Sequence, residues 1–173
     1  MTITLDQLTL LVKPGDILLY GEYIDESIFD KIVDNSIAWK TASDADHVEI
    51  VSDITGRSWA SRNGTGLGTG VGSYILRTDG LVSVRRPLGF DIDGGLKRFK
   101  TLDGIPYGFC DIKIEIGLEY RPTGLDCSHF AAMIMQGGFA NQFDKNFDKR
   151  RISPRDFELS TESDQIWPSI QTA

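Results

Sequence analysis

A chain of 173 residues, 40% of them hydrophobic, holds enough apolar side chains for one packed domain, and no apolar run reaches the length of a bilayer-crossing helix. Its net charge of −7 argues against a surface for nucleic acid or anionic lipid, although Lys145, Lys149, Arg150 and Arg151 form a local basic cluster. Two cysteines, Cys110 and Cys127, are too few for a disulfide framework or a metal site of cysteine-pair type, so the expectation is reduced thiols, no metal, no cofactor and a soluble cytosolic product.

Lys13, Pro14 and Gly15 signal a turn, and Asp16-Ile17-Leu18-Leu19-Tyr20 is an apolar run of strand length. Over residues 25–40, Ile28, Phe29, Ile32, Val33, Ile37 and Trp39 recur at helical spacing opposite Asp25, Glu26, Lys31 and Asp34, predicting an amphipathic helix. His47-Val48-Glu49-Ile50-Val51 alternates as a strand, with Val48 and Ile50 on one face and His47 and Glu49 on the other. A turn through Ile54, Thr55 and a left-handed Gly56 returns the chain as Ser58-Trp59-Ala60-Ser61. Regular pairing across it puts Trp59, Ser61 and Asn63 on the face of His47, and a slip of one residue reverses that assignment.

Residues 63–72 are rich in glycine, but no Lys follows and no G-x-G-x-x-G run forms, so the segment reads as a mobile loop, not a phosphate cradle. Leu81-Val82-Ser83-Val84 predicts a strand, and residues 90–102 a helix through Leu96 and Phe99. Asp91-Ile92-Asp93-Gly94 matches the start of a calcium loop, yet Leu102 stands where the closing acidic ligand belongs. Beyond residue 136, Gly137-Gly138 ends a helix, and a surface segment packs through Phe139, Phe143 and Phe147. Ser153-Pro154 opens a short helix, and a loosely held polar tail begins near residue 160.

The stretch over residues 104–136 carries the chemistry. Phe130, Met133 and Ile134 lie at helical spacing after Cys127, and Asp126 fits the N-cap, so Cys127 opens a helix, where free N–H groups and the dipole suit a nucleophilic thiol. Without a base, a cysteine there is a small core residue. Of the two histidines, His129 lies roughly 200° around the same helix and faces away from the sulfur. His47 remains as the candidate base by elimination, and taken alone it also reads as an ordinary half-buried strand histidine.

These motifs resemble the NlpC-type papain-like cysteine peptidases. Pro14-Gly15-Asp16 with its apolar strand and the His47-to-Val51 strand are similar to two elements of that pattern. Leu125-Asp126-Cys127-Ser128 resembles the DCSG nucleophile motif, and Gly104-Ile105-Pro106-Tyr107-Gly108-Phe109 looks like the G-x-PY segment before it. Because His47 precedes Cys127, the order is similar to the circularly permuted branch that includes YiiX-like proteins and the lecithin retinol acyltransferase group. Ile152-Ser153-Pro154-Arg155-Asp156-Phe157 resembles a segment near the end of YiiX-like chains.

The resemblance implies a single permuted papain-like α+β domain over residues 1–173, with a small antiparallel sheet carrying His47 packed against the Cys127 helix. It implies a cysteine hydrolase, an amidase or peptidase, in which His47 activates Cys127 against an amide or isopeptide bond of a small peptide or acyl substrate. Tyr107 is then a candidate second oxyanion donor beside the Cys127 N–H. The family also uses a polar acceptor on the strand after the histidine strand; by the register above that place falls to Trp59, whose indole only donates. Either Ser61, Asn63, Glu49 or a backbone carbonyl orients His47 instead, or the site works as a dyad or not at all. His129 replaces the glycine of the nucleophile motif and narrows the pocket. Two other readings stand beside the amidase: a thioester-forming acyltransferase or lipid hydrolase, and a non-catalytic binding protein with a degraded triad.

Overall fold

The computed structural model describes residues 2–21, 44–53, 55–62, 70–108, 124–135, 152–161 and 163–168. The predicted helix over 25–40, Asn63, Cys110, the Gly137-Gly138 helix end, the segment of Phe139, Phe143 and Phe147, and the basic cluster lie outside the described residues.

Among the described residues, six strands form one antiparallel sheet: β1 (Ile17–Tyr20), β2 (His47–Asp53), β3 (Arg57–Arg62), β4 (Gly70–Ile75), β5 (Leu81–Pro87) and β6 (Ser163–Trp167), in the spatial order β4-β3-β2-β1-β5-β6. Four helices are described with it: α1 (Leu5–Leu11), α2 (Ile92–Leu102), α3 (Cys127–Ile134) and α4 (Pro154–Glu158). The α+β class and the antiparallel sheet agree with the sequence reading. No helix among the described residues is long and apolar enough to cross a membrane.

Alternation along the central strands sorts the core onto two faces. Ile17, Leu19, Val48, Ile50 and Trp59 join Phe99 of α2, Phe130 and Ile134 of α3 and Phe157 of α4 in one apolar cluster. Leu18, Tyr20, Val51 and Val84 point the other way and meet Ile3, Leu8 and Val12, so α1 covers the opposite face. That helix is absent from the sequence reading, and its start is a reciprocal capping box between Thr4 and Gln7. Asp91, the first residue of the calcium-like motif, caps α2 by accepting from the Gly94 N–H at 3.0 Å, which gives that carboxylate a structural partner. At the start of α4 the Asp156 carboxylate accepts from the Ser153 N–H at 2.7 Å and from its hydroxyl at 2.8 Å, with Pro154 in the first turn.

Three expectations need correction. The polar tail is not loose over residues 163–167: Ser163, Asp164 and Gln165 pair with Pro87, Arg86 and Arg85. The buried Arg85 guanidinium fastens the tail, donating to Ser163 Oγ at 2.8 Å and to the Ser160 and Ser163 carbonyls at 2.9 Å. The end of the glycine-rich segment is strand, because Gly70 and Gly72 supply only backbone to a ladder opposite Arg62 and Ala60. Such residues lack the β-branched signal by which strands are read.

The third correction concerns the face of β3. Gly56 is left-handed (φ 83°) as expected, and Asp53 pairs with Arg57 as a three-residue turn requires. The register then shifts between Asp53 and Val51, and Ser52 is the extra residue of a β-bulge. Val51 therefore opposes Ser58, and Ile50 opposes Trp59. Parity flips for the rest of the strand, so Ser58, Ala60 and Arg62 share the face of His47 and Glu49, while Trp59 and Ser61 turn to the other. Trp59 stacks on Phe99 with centroids 5.2 Å apart and planes 14° from parallel, and it is a core residue. It does not occupy the place of the missing acceptor.

Candidate functional site

Cys127 is the first residue of α3, and Asp126 caps the helix by accepting from the His129 N–H at 2.8 Å. The approach to it is fixed by backbone contacts with the segment that carries Tyr107. Leu125 N–H donates to the Pro106 carbonyl (3.0 Å), Gly108 N–H donates to the Leu125 carbonyl (3.2 Å), and Tyr107 bridges Leu125 in parallel. The two chains approach so closely that a Cβ on Gly124 would stand 2.2 Å from the Pro106 carbonyl oxygen. Glycine is required there by space. Ser61 adds a third tie from the sheet, its hydroxyl donating to the Leu125 carbonyl.

His47 opens β2, and its side chain retains 14% of its exposure. The strand reaches it through Asp46, whose N–H donates to the Tyr20 carbonyl at 2.8 Å and whose own carbonyl oxygen lies 3.9 Å from Cys127 Sγ. Cys127 is buried with a free thiol, and it lies near enough to His47 to bear on the proton affinity of the ring. On its other side, Nε2 of the ring lies 3.1 Å from Oε1 of Glu49. Because Nε2 is engaged by Glu49, Nδ1 is the nitrogen left for the thiol.

Glu49 is fully buried, and a carboxylate taken out of water needs partners on both oxygens. Arg62 supplies a fork, Nε donating to Oε1 at 2.9 Å and Nη2 to Oε2 at 3.0 Å. The Ser58 hydroxyl donates to Oε2 at 2.5 Å, and Arg77 Nη2 lies 3.6 Å from Oε1. Both arginines rest on aromatic faces, Arg62 over Tyr74 at 4.3 Å and Arg77 over Tyr20 at 4.1 Å.

The charges of this cluster move each other's proton affinities. Burial works against the charged imidazole, but the neighbouring Cys127, followed by Glu49, more than offsets it and raises the His47 pKa from 6.5 to about 10. For Glu49 burial pushes upward, and the hydrogen bond with His47 and the charge of Arg62 outweigh it, lowering the pKa from 4.5 to about 2. Burial lowers Arg77 from 12.5 to about 10. Tyr20 is raised by burial and by the Glu49 charge, so it stays a neutral phenol whose O–H donates to the Arg77 carbonyl at 3.2 Å.

Of the residues singled out from sequence, Cys127, His47 and Glu49 are brought together. Ser61 is not with them: it lies on the other face and ties down the Leu125 carbonyl, so it does not orient His47. Tyr107 is half-buried beside Leu125, two residues from the thiol. Arg62 and Ser58 were missed, and the only signal that finds them is the bulge at Ser52, which no residue type announces. No protein-family model matches the chain, and no curated protein sequence matches it.

Proposed function

We propose that this protein is a cysteine hydrolase, an amidase or peptidase, with Cys127 as nucleophile, His47 as general base and then acid, and Glu49 as the group that orients the imidazole. The observation that carries the reading is the His47 ring bonded through Nε2 to a buried carboxylate, with the buried Cys127 sulfur 3.9 Å from the carbonyl oxygen of the adjoining Asp46. His47 takes the Cys127 proton to give the imidazolium–thiolate pair that its raised pKa favours, and the sulfur attacks the carbonyl carbon of an amide or isopeptide. The negative oxygen is met by the Cys127 backbone N–H at the head of α3, with the Tyr107 hydroxyl as second donor. The C–N bond breaks as imidazolium hands its proton to the departing amine, leaving a thioester. Water, deprotonated by His47, then attacks that thioester, releasing acid and restoring the thiol.

The order of motifs supports membership of the permuted NlpC-type papain-like group, with one domain and a small peptide or acyl substrate. The reading of a degraded triad leaned on Trp59, and it loses that support because Trp59 stacks in the core while Glu49 accepts from His47. Incubation with matched amide and ester acyl donors, followed by intact-mass analysis, tests the proposal. An acyl adduct on Cys127 that is released by hydroxylamine and is absent from Cys127→Ala is expected. Unaltered turnover of either donor by Cys127→Ala would refute it.

A further inference from the structure

Glu49 sits where burial is hostile to a carboxylate. Protonated, it would turn from acceptor to donor and no longer hold the Nε2 proton of His47. The groups facing it are His47 from its own strand, Ser58 and Arg62 from β3, Tyr74 from β4, Tyr20 from β1, and Arg77 from the β4–β5 connection. Among these, Arg62 is distinct in geometry: it alone engages both carboxylate oxygens, and it is itself 6% exposed. Its planar fork fixes the carboxylate in orientation as well as in charge. The Arg62 guanidinium is in turn positioned by the Tyr74 ring, whose hydroxyl donates to the Gly70 carbonyl at 2.7 Å.

We propose that Arg62 is a positioning residue of the site, its guanidinium fork holding the Glu49 carboxylate so that Oε1 accepts from Nε2 of His47 and the opposite ring nitrogen is presented to Cys127. This rests on the cysteine-hydrolase reading for its consequence in catalysis, though not for its effect on Glu49. Arg62 acts on the thiol only through two intervening side chains. Its loss should therefore change nothing further once Glu49 has lost its charge, which distinguishes a positioning role from a general contribution to folding.

The test uses the full chain with Cys110→Ser, so that one thiol is read. Two quantities are followed against pH: the ¹³C and ¹⁵N signals of the Glu49 carboxyl and His47 ring, and the rate of Cys127 alkylation by iodoacetamide. Arg62→Met is expected to raise the Glu49 midpoint by at least about one unit and to slow alkylation about 10- to 100-fold, the usual range for groups that support a reactive site from behind. Arg62→Lys, which restores the charge without the fork, should return the Glu49 midpoint but only part of the rate.

In a Glu49→Gln background, Arg62→Met should alter the rate less than twofold. That double variant buries no unpaired carboxylate, so together with Arg62→Lys it decides the matter even if Arg62→Met alone does not fold. A folded Arg62→Met or Arg62→Lys with Glu49, His47 and alkylation all unchanged would overturn the proposal, as would additive losses from Glu49→Gln and Arg62→Met. A Glu49 midpoint that moves as expected, with alkylation indifferent to every variant, would sustain the Arg62–Glu49 link while overturning the hydrolase reading.

Discussion

His47 and Glu49 stand two residues apart on one strand face, and their side chains meet at 3.1 Å between Nε2 and Oε1. The orienting acceptor and the base are thus built into a single His-x-Glu step of β2, where the pleat alone places both on the same side. The partner strand then supplies the groups that keep the acceptor charged.

Removing Glu49 should unsettle the fold as well as the site. Glu49→Ala removes the carboxylate that buried Arg62 grips and that Arg77 faces, and breaking such a cluster costs about 3–5 kcal/mol. Urea unfolding monitored by tryptophan fluorescence should show that loss. Glu49→Gln, which keeps the volume and one acceptor oxygen, should lose less stability yet still slow Cys127 alkylation at least about tenfold. A Glu49→Gln rate equal to that of the parent protein would remove Glu49 from the site.

The pH profile of stability follows from the two shifts. Glu49 has a folded pKa below its ordinary 4.5, so its contribution is complete above 4.5 and is lost as pH falls through about 2. His47 has a folded pKa above its ordinary 6.5, so its contribution is complete below 6.5 and is lost as pH rises through about 10. The urea midpoint should be highest between these ordinary values, and its alkaline decline should shrink in His47→Asn. An unchanged alkaline limb in that variant would contradict the assignment.

Trp59 should matter for packing and not for chemistry. Trp59→Ala removes one side of the stack with Phe99 and should destabilise by about 3–5 kcal/mol, whereas Trp59→Phe should leave Cys127 alkylation within about twofold of the parent. A Trp59→Phe protein that folds normally but has lost thiol reactivity would return Trp59 to the site.

Ser61→Ala offers a complementary check of the register. It deletes one of two bonds to the Leu125 carbonyl, which keeps the Gly108 N–H as donor, and should cost about 0.5–1.5 kcal/mol, while the His47 ¹⁵N signals keep their parent pH dependence. A shifted His47 titration would show that Ser61 faces the imidazole after all.

The sequence was legible where one residue type has one use. The Asp126 cap of the Cys127 helix, the left-handed Gly56 and the alternation of β2 all follow from local stereochemistry. The face of β3 was not legible, because a single unpaired residue at Ser52 inverts everything downstream and serine carries no bulge signature. Misreading that parity turned a core indole into an apparent defect and hid Arg62. Edge strand β6 escaped for a different reason: its pairing and the grip of Arg85 are tertiary, and its own residues are polar.

The most direct test of the central claim is the rate of acyl-adduct formation in single turnover, read by intact mass in the parent protein, Cys127→Ala and His47→Ala. One adduct that maps to Cys127, disappears in Cys127→Ala and forms at least about 100-fold more slowly in His47→Ala is the predicted result. An adduct on Cys110, or one formed at the parent rate without His47, would contradict it.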